Sequence, residues 1–375
     1  MFNIRMIARR VLGGAFAAML AGALPCAAQV TPAAGYTPPD DTPAIKVGVT
    51  IFADFTVQQQ PKVNDPVDSS STGPKPVTLS QFQIGRSYIN VTGNISHSIA
   101  FRITPDVTRE VAVGSSVNGS YVFRLKYAYL QWNFDDFMTH GSWARFGQQQ
   151  TPYVDFMEGI YRYRFQGTIF EEREGFLSSS DVGASFHYNF ANNYGDLHAG
   201  VYNGETYTAP ELNDQKGWMV RGTVRPLPMS ATLRGLRVTG FFDHDMFAKN
   251  DERRRGIVSV SFEHQYVNAA FDYMSTKNQP NAAASTADGH GWTAWVTPKT
   301  KIGWEGLLRF DRFDPSKAAP AQERQRAIGG IAYWFPHQGN VSAALLLDVD
   351  NAKFDGFTPA QPTQRRIAVH ALLNF

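Results

Sequence analysis

The chain is almost devoid of cysteine, because Cys26 is the single one among 375 residues. The rest of the chain therefore has no disulfide, no zinc–thiolate site and no cysteine catalysis. Charged residues are scarce as well, at 18% against about 25% in soluble domains. The formal net charge of +2 argues against a strongly basic nucleic-acid-binding protein.

Long hydrophobic runs are also missing. After the N-terminus no stretch approaches 18 consecutive apolar residues, and residues 343–347 form one of the longest runs. The sequence therefore predicts no transmembrane helix in the mature chain. An exported chain of this kind is either soluble or crosses a membrane as a closed β-barrel, because every backbone N–H and C=O group in lipid must be paired.

The N-terminus is typical of a secretory signal peptide. Three arginines precede an uncharged Ala/Leu-rich stretch at 11–24, and small residues at 26–28 offer a cleavage site before Gln29. The apolar stretch has about 14 residues, whereas a membrane anchor needs roughly 20. We therefore predict a signal peptide at 1–28 and an exported mature chain.

An alternation of apolar and polar side chains dominates the chain from residue 45 onward. It spans 13 residues at 45–57, far beyond the usual strand of about 5–6. Such strands are typical of barrels whose strands cross a membrane with one face on lipid and the other on water. The pattern predicts about sixteen strands, at 45–57, 81–95, 97–109, 120–134, 142–149, 181–190, 194–204, 216–226, 234–247, 254–267, 269–278, 289–298, 302–313, 324–335, 341–350 and 363–375.

The connections between these segments are alternately long and short. Most odd-numbered gaps have ten residues or more and most even-numbered gaps are short, as expected for the external loops and periplasmic turns of an outer-membrane barrel. We therefore predict an all-β fold, a transmembrane antiparallel β-barrel over residues 45–375, with both termini on the periplasmic side. Residues 29–44, which include a Pro/Thr/Ala-rich stretch, are predicted to be a flexible leader.

The third long gap, residues 150–180, is the candidate functional loop. It has about 30 residues, where its counterparts have nearer ten, and it carries seven aromatic residues. So many aromatics predict packing against the barrel interior. A sixteen-stranded barrel encloses a water-filled lumen, so we predict that the loop folds into the lumen and sets selectivity. A loop over the barrel mouth or at a subunit contact is the alternative.

Charges of both signs in this loop are candidates for a pore constriction. They are Glu158, Arg162, Arg164, Glu171, Glu172 and Arg173. Arg162 and Arg164 are spaced i, i+2, so in an extended segment both point the same way, and we expect them to face permeating anions while the intervening aromatics pack on the wall. The alternative is that neighbouring glutamates neutralise the two arginines, because burial of an unpaired charge is unfavourable.

Charged side chains also lie on the strand faces that we assign to the lumen. The basic ones are Lys46, Arg102, Arg124, Lys126, Arg145, Arg221, Arg225 and Arg366, and the acidic ones are Asp54, Asp181, Asp243, Asp272, Glu305, Asp311, Asp348 and Asp350. Basic residues dominate the first half of the chain and acidic residues the second. Two opposed charged walls would place a transverse field across the pore, whereas the alternative is that these groups only hydrate the lumen.

The final strand ends on Phe375, which shares a face with Ile367, Val369 and Leu373. A terminal Phe on the lipid face resembles the signal that the barrel assembly machinery reads, and we predict this role for Phe375. Chance is the alternative, since 27 of the 375 residues are Phe.

Enzyme and metal motifs are weak in this sequence. The Asp-His-Asp run at 243–245 suggests an acid/His site, but no Ser stands at a recognisable spacing, and His187 and His198 lack a third metal ligand. We therefore predict no enzyme activity, no metal and no cofactor. The basic run at 253–255 is predicted to contact anionic lipopolysaccharide of the outer membrane, and not nucleic acid.

Short motifs around the third loop resemble a known family. They are Arg145-Phe146-Gly147-Gln148, Thr151-Pro152-Tyr153, Phe156-Met157-Glu158 and Ser180-Asp181-Val182-Gly183, with residues 125–130 upstream. Together they resemble the outer-membrane phosphate-selective porin family. That resemblance implies a sixteen-stranded, homotrimeric porin.

From these features we expect an outer-membrane porin that passively conducts small hydrophilic solutes. The resemblance implies a preference for anions or phosphate, but the phosphate-binding side chains of the family match no motif of this chain, so the preferred solute stays open. A non-conducting barrel with a plugged lumen, used in adhesion or hydrolysis, is the alternative. The lack of catalytic motifs favours the porin.

Overall fold

The computed structural model describes residues 41–65, 75–245, 253–279, 286–317, 322–337 and 341–375. The predicted signal peptide lies outside these ranges, as do residues 29–40 of the predicted leader. Within the described ranges no helix is both long and apolar enough to cross a membrane.

In the described part of the chain, sixteen antiparallel strands close into one barrel. Each strand pairs with its neighbours in sequence, and β1 pairs with β16 to close the sheet. The strands are β1 (Ala44–Asn64), β2 (Pro76–Asn94), β3 (Ile99–Arg109), β4 (Tyr121–Asn133), β5 (Trp143–Gln150), β6 (Ser180–Asn189), β7 (Gly195–Tyr202), β8 (Gly217–Val224), β9 (Leu236–Asp245), β10 (Arg253–His264), β11 (Val267–Asn278), β12 (Ala287–Pro298), β13 (Trp304–Asp314), β14 (Glu323–Trp334), β15 (Ser342–Asp355) and β16 (Gln364–Asn374). The predicted all-β, sixteen-stranded antiparallel barrel is confirmed.

The alternation along each strand places apolar side chains on the outside of the barrel. In β15, Leu345, Leu347 and Val349 are exposed, whereas Asp348 and Asp350, at alternate positions, are buried. Successive side chains of a strand point to opposite faces, so the apolar face points outward and the polar face points inward. This is the reverse of a soluble protein and is the arrangement of barrels that face lipid.

The first hairpin is longer than the sequence predicts. The prediction places a loop at 58–80, whereas β1 continues to Asn64 and β2 begins at Pro76. Pairing of β1 with β16 stops at Gln60 and Arg365, but pairing within the hairpin continues to its end. This extension is mostly polar, so its strands depend on hairpin hydrogen bonds and show no apolar alternation.

A bulge in β4 reverses the face that points inward. The sequence predicts Tyr127 and Tyr129 on the outer face with Tyr121, opposite Lys126. In the pairing of β4 with β3, Tyr127 and Leu125 face successive residues of β3, so Lys126 between them has no partner. As a result Lys126 and Tyr127 are both buried. The Arg145 guanidinium lies over the Tyr129 ring inside the barrel. The predicted face is wrong because one extra residue moves every later side chain to the other side.

Long and short connections alternate around the barrel. The third long one, residues 151–179, contains α1 (Val154–Tyr161) and α2 (Phe170–Arg173). Connections after even-numbered strands are mostly short, although 225–235 is longer. Both ends of the barrel chain, at β1 and β16, lie at the end with the short turns, because the start of β1 pairs with the end of β2 and the end of β16 pairs with the start of β15.

Candidate functional site

The connection from β5 to β6, called here the third loop (residues 151–179), packs against inward-facing side chains across the barrel. Its apolar residues form one buried cluster with wall residues that include Phe241, Trp295 and Phe313. These wall residues belong to β9, β12 and β13, of which β12 and β13 lie far around the barrel from the strands that the loop connects. Contacts across the lumen therefore position the loop.

Helix α1 presents an apolar stripe to the wall. Val154, Met157 and Ile160 are spaced three residues apart and are buried, as expected for one face of a helix. The helix ends at Arg162, whose backbone adopts the left-handed conformation with φ of 64°. Because this conformation reverses the direction of the helix, the chain leaves α1 along a new path.

Aromatic side chains after the helix hold the loop on the wall. The Tyr161 ring lies 5.1 Å from the Trp295 ring on β12. The Phe165 ring lies 6.5 Å from the Phe52 ring on β1. Aromatic pairs at these separations stabilise packing by about 0.5–1.5 kcal/mol beyond burial of their area. The aromatic residues of the loop thus pack on the barrel wall, as their number predicts.

Wall side chains also donate hydrogen bonds to the loop backbone. The contacts are Arg221 Nε to Pro152 O at 2.7 Å, Asn268 Nδ2 to Ile160 O at 2.9 Å and Arg309 Nη1 to Thr168 O at 2.8 Å. Hydrogen bonds that involve a charged donor contribute about 1.5–3 kcal/mol each. Polar residues of β8, β11 and β13 therefore satisfy carbonyl groups of the loop that would otherwise be buried without partners.

Arg162 anchors the loop to the opposite wall. Its Nη1 lies 3.2 Å from Glu305 Oε1 on β13, and its guanidinium carbon lies 4.2 Å from the centre of the Trp334 ring. Tyr163 OH donates to the other oxygen of Glu305 at 3.0 Å. The sequence pattern assigns Glu305 only to a charged wall. In the structure Glu305 binds two side chains of the loop and so holds the loop on β13.

Arg164 lies in a different environment. Its Nη1 is 2.9 Å from Glu158 Oε1 and 2.7 Å from Glu172 Oε2. The prediction that Arg162 and Arg164 point the same way is wrong, because it assumed an extended segment and the left-handed turn separates the two side chains. Neutralisation by neighbouring glutamates of the loop, the alternative hypothesis, describes Arg164 only, because the partner of Arg162 is Glu305 on the wall.

Glu158, Arg164 and Glu172 form what we call the loop charge cluster, and it lies near β2 and β4. Burial raises the pKa of Glu158 to about 7, and attraction to Arg164 and to Lys126 on β4 offsets this only in part. For Glu172 burial is outweighed by attraction to Arg164, Lys126 and Arg86, so its pKa is lowered. The cluster therefore changes charge near neutral pH through Glu158.

Glu171 and Arg173 lie on the packed side of the loop. Glu171 is fully buried, and its carboxylate oxygens have no hydrogen-bond partner among the described residues. Burial raises the pKa of Glu171 well above its usual range, and the nearby Asp272 adds to that rise. Arg173 donates to Gln166 at 3.1 Å. The assignment of Glu171 to the pore surface is therefore wrong, and Arg173 braces the loop.

Two of the basic residues predicted to line the lumen are buried beneath other groups. Lys126 points inward against Tyr88, with its Nζ 4.8 Å from the centre of that ring. Arg221 is bound to Asp196, and its guanidinium lies 4.1 Å from the centre of the Phe156 ring of the loop. Arg221 therefore supports the loop, and its prediction as a lining residue is wrong.

Arg124 remains accessible and has a partner that the sequence pattern does not reveal. Arg124 Nη2 and Arg86 Nη1 lie 2.9 and 2.8 Å from the same oxygen of Asp106. Asp106 is fully buried, whereas the two arginine side chains are 27% and 28% exposed. The group carries a net positive charge toward the lumen. Arg86 was missed because the register of β2 shifts near Gly85.

Three more of the predicted lumen cations lie near the short-turn end. Lys46 is exposed, and Arg102 and Arg145 are partly buried on the inner face. All three line one cavity on the inner face of β1–β5.

The acidic residues do not form an exposed second wall. Five of the eight are buried and paired: Glu305 with Arg162, Asp243 with Arg255, Asp311 with Arg309, Asp348 with His370, and Asp350 with Arg326 and Arg366. The sequence pattern does not assign Arg255, Arg309 or Arg326 to the lumen. Because arginines neutralise four of these five carboxylates, the predicted pair of opposed charged walls is wrong.

The weak enzyme motifs do not form a site. Asp243 and Asp245 are buried on the inner face, but His244 between them points outward and its ring lies 6.0 Å from that of Trp218. His187 is bonded to Asp196. Across the described ranges no group of three or more potential metal-binding side chains occurs.

The basic run at 253–255 is mostly turned inward. Arg255 is buried and bonded to Asp243 and Asp245, and Arg253 lies 2.8 Å from Asp245. Only Arg254 of the three is exposed. The prediction that the whole run contacts lipopolysaccharide is therefore wrong, because strand alternation sends two of its members into the barrel.

Phe375 lies on the outer face, with its side chain 71% exposed. Its backbone N–H and C=O both pair with Val49 of β1 at 2.9 Å. The last residue therefore takes part in closing the barrel while its ring faces the surroundings.

The similarity of this chain to known proteins is one of structure. No family model and no curated protein matches the sequence. The anion-selective porin of Comamonas acidovorans has a TM-score of 0.60 and 10% identity, over 89% of this chain and 100% of that chain. The outer-membrane channel DcaP of Acinetobacter baumannii has a TM-score of 0.56 and 10% identity, over 92% and 100%.

A third neighbour is the trimer form of OmpT, an outer-membrane protein of Vibrio cholerae. Its TM-score is 0.58 and its identity 11%, over 89% of this chain and 100% of that chain. At such identities the likeness establishes the fold. The chain therefore has the barrel fold of these outer-membrane proteins.

Proposed function

We propose that the chain is an outer-membrane porin, a passive diffusion channel for small hydrophilic solutes that prefers anions. The observation that carries this proposal is the asymmetry of the lumen. The apolar residues of the third loop pack mainly on β8–β15, with Phe165 also against Phe52 on β1, and its charge cluster interacts with Arg86 on β2 and Lys126 on β4. Solutes then pass between the loop and the basic wall, so the loop narrows the lumen and sets selectivity.

The two faces of the barrel support a position in a membrane. Apolar side chains outside match lipid, and polar side chains inside match water. The predicted signal peptide and the outer-membrane location named for two of the structural neighbours support the outer membrane in particular.

The preference for anions follows from the balance of charge along the path. Arg86 and Arg124 share one carboxylate, that of Asp106. Arg102 and Arg145 have no carboxylate partner in the described part of the chain. A positive potential in a narrow pore raises the local concentration of anions and lowers that of cations. The Comamonas neighbour, which is described as anion-selective, supports this sign.

Single-channel recording of the purified protein in a planar bilayer tests the proposal. Under a KCl gradient we expect stepwise currents and a reversal potential shifted toward that of chloride. A reversal potential shifted toward that of potassium would contradict the anion preference. Absence of any conductance from correctly folded protein would favour a plugged, non-conducting barrel instead.

We also propose that the chain assembles as a homotrimer through the barrel assembly machinery, with Phe375 as the recognition residue. The trimer form of the Vibrio neighbour supports the oligomer. Phe375→Ala is expected to lower the outer-membrane yield of heat-modifiable barrel and leave export unchanged. Phe137→Ala, at an exposed Phe in a short turn, is the matched control. Equal yields from both variants would contradict the role of Phe375.

A further inference from the structure

The extended β1–β2 hairpin leaves one strand edge without a neighbouring strand. Pairing of β2 with β3 stops at Ser87 and Val107, whereas pairing of β2 with β1 continues to Pro76. Within the described ranges, residues 76–86 of β2 therefore have no strand beside them on the side of β3. A strand edge of this kind presents a row of backbone N–H and C=O groups that can pair with another extended chain.

The backbone groups that face this free side can be assigned to particular residues. The N–H of Ile84 points to the side of β3, because it donates to the hydroxyl oxygen of Tyr121 on β4 at 3.1 Å. The register of β2 with β1 is continuous from Ile84 to Ser80. In an antiparallel ladder every second residue turns its N–H and C=O to the same side. Those of Phe82 and Ser80 therefore also face the free side.

The free edge of β2 lacks the features that usually protect a strand edge. Residues 76–85 include no charged residue, and proline occurs there only at the first position. Val77, Leu79 and Phe82 are exposed, and the exposed fraction of Phe82 is 84%. Natural strand edges are commonly protected by charge, by proline or by a covering segment. This edge is therefore open to pairing with an added strand.

The opposite edge of the same hairpin is protected. β1 pairs with β16 only as far as Gln60, and the next residues of β1 are Pro61 and Lys62. Proline has no N–H to offer to an added strand, and lysine at an edge opposes pairing. The two edges of one hairpin thus differ, and of these two only the edge of β2 is suited to strand addition.

The free edge lies at the border of the apolar outer face. Ile84 and Phe82 are exposed on that face, and the Phe82 ring lies 4.5 Å from that of Phe55 on β1. The next outward position along β2 is the polar Ser80, so the edge leaves the apolar belt there and meets water. A cleft of about 510 Å³ beside the edge is lined mainly by apolar side chains and by Tyr121. The cleft can receive a side chain of an added strand.

A second copy of this chain is a poor match for the free edge of β2. In a ring of three copies each contact joins two different surfaces, so the β2 edge of one copy does not meet the β2 edge of the next. The other free edge of the hairpin, at residues 61–64 of β1, is short and begins with Pro61. The features of the edge instead fit a different polypeptide. Its backbone must be extended to match the row of donors and acceptors, and its side chains uncharged because the edge offers no charge to pair with.

We propose that residues 77–84 of β2 form a docking site for an extended, uncharged segment of another polypeptide, which adds to the sheet as an extra strand. Backbone hydrogen bonds to Ser80 and Phe82 supply affinity, and the apolar cleft beside Ile84 selects an apolar side chain. This inference goes beyond the proposed function and does not require that the pore conducts.

Peptide binding to the detergent-solubilised full chain tests the site. The probe is a fluorescent heptapeptide of alternating threonine and valine. Its matched control has the same side chains but carries a methyl group on every backbone nitrogen, so it donates no backbone hydrogen bond. Fluorescence anisotropy is expected to show binding of the probe and binding roughly tenfold weaker for the control, because at least two hydrogen bonds are lost.

Photo-crosslinking and substitution locate the bound probe. A benzophenone group at its centre should attach to residues 76–86, as determined by mass spectrometry. Ser80→Pro removes an edge N–H and should weaken binding roughly fivefold or more, whereas Ser80→Ala keeps this N–H and should bind like the wild type. Proline is tolerated on edge strands, and a heat-modifiable barrel shows that each variant is folded.

The proposal is overturned if the probe and the methylated control bind equally, or if neither binds. Crosslinks found only outside residues 76–86 would also overturn it, and this measurement needs no substituted protein. Hydrogen–deuterium exchange without peptide supplies a further test. Fast exchange of the Ser80 and Phe82 amides is expected for a free edge. Slow exchange would show that a neighbouring copy of the chain already covers the edge, contrary to the proposal.

Discussion

At the scale of single residues, Arg162 and Arg164 have opposite roles although one residue separates them. Arg164 belongs to the loop charge cluster, whereas Arg162 is tied to Glu305 on the wall. Removal of Arg164 leaves Glu158 and Glu172 uncompensated beside the proposed path. Selectivity should therefore respond more strongly to loss of Arg164, which neutralises two carboxylates, than to loss of Arg162, which neutralises one.

We predict that Arg164→Ala lowers the anion-to-cation permeability ratio, measured from reversal potentials in a KCl gradient. A reduction of roughly twofold is expected near 0.1 M salt, where the Debye length is about 10 Å, and a larger one at 0.01 M, where it is about 30 Å. Arg162→Ala is the matched control and should change the ratio much less. Equal effects of the two substitutions would show that the loop charge cluster does not set selectivity.

Glu158 predicts a dependence of selectivity on pH. Burial raises its pKa to about 7, so the carboxyl group is mostly neutral at pH 6 and mostly charged at pH 8. The loop charge cluster therefore loses a negative charge as the pH falls, and the anion-to-cation permeability ratio should rise from pH 8 to pH 6. Glu158→Gln should abolish this change. A ratio in the wild type that is constant between pH 6 and pH 8 would contradict the prediction.

At the scale of elements, the third loop is held by many separate contacts with the barrel wall. Tyr163 OH donates to Glu305 at 3.0 Å and accepts from Trp334 Nε1 at 3.3 Å. Each contact alone contributes little, but together they hold a segment that contains two short helices. Loss of one contact should therefore loosen the loop without unfolding the barrel.

We predict that Tyr163→Phe lowers the free energy of unfolding by about 1 kcal/mol, the usual net contribution of a hydrogen bond. Urea unfolding in detergent measures this change, and single-channel recordings should show more frequent closures because the loop is less restrained. Tyr194→Phe, at an exposed tyrosine in a short turn, is the control and should resemble the wild type. Equal closure frequencies in the two variants would argue against an anchoring role for Tyr163.

At the scale of the whole molecule, the alternation of long and short connections defines an orientation in the membrane. The long connections lie at one end of the barrel and both chain ends lie at the other. Outer-membrane barrels place long loops outside the cell and short turns in the periplasm. We therefore expect the third loop to enter the lumen from the external side.

Epitope tags test this orientation on intact cells. A tag inserted at Ser116, in the long connection between β3 and β4, should be labelled by an impermeant antibody. A tag at Met229, in the connection between β8 and β9, should be labelled only after the outer membrane is permeabilised. Labelling at Met229 alone before permeabilisation would reverse the assigned orientation.

The barrel fold can be predicted from the sequence alone, because the polarity of each side chain decides which face of its strand it occupies. Alternation along β15 and β16 assigns every side chain to the lipid or the lumen face without knowledge of a partner strand. The connection lengths then follow by subtraction, and the number of aromatic residues at 151–179 predicts a loop that packs. None of these inferences needed a contact between residues distant in sequence.

Which charged side chains are accessible depends on the packing of strands and loop, and the sequence pattern does not reveal it. The bulge at Lys126 and the left-handed backbone at Arg162 each reverse a predicted direction, and neither carries the glycine that would mark it in the sequence. Pairing of Asp350 with Arg326 and Arg366 depends on the register of three strands. Whether a charged side chain in the lumen is neutralised depends on its partner on another strand. A pattern along one strand therefore identifies the charged side chains but not their partners.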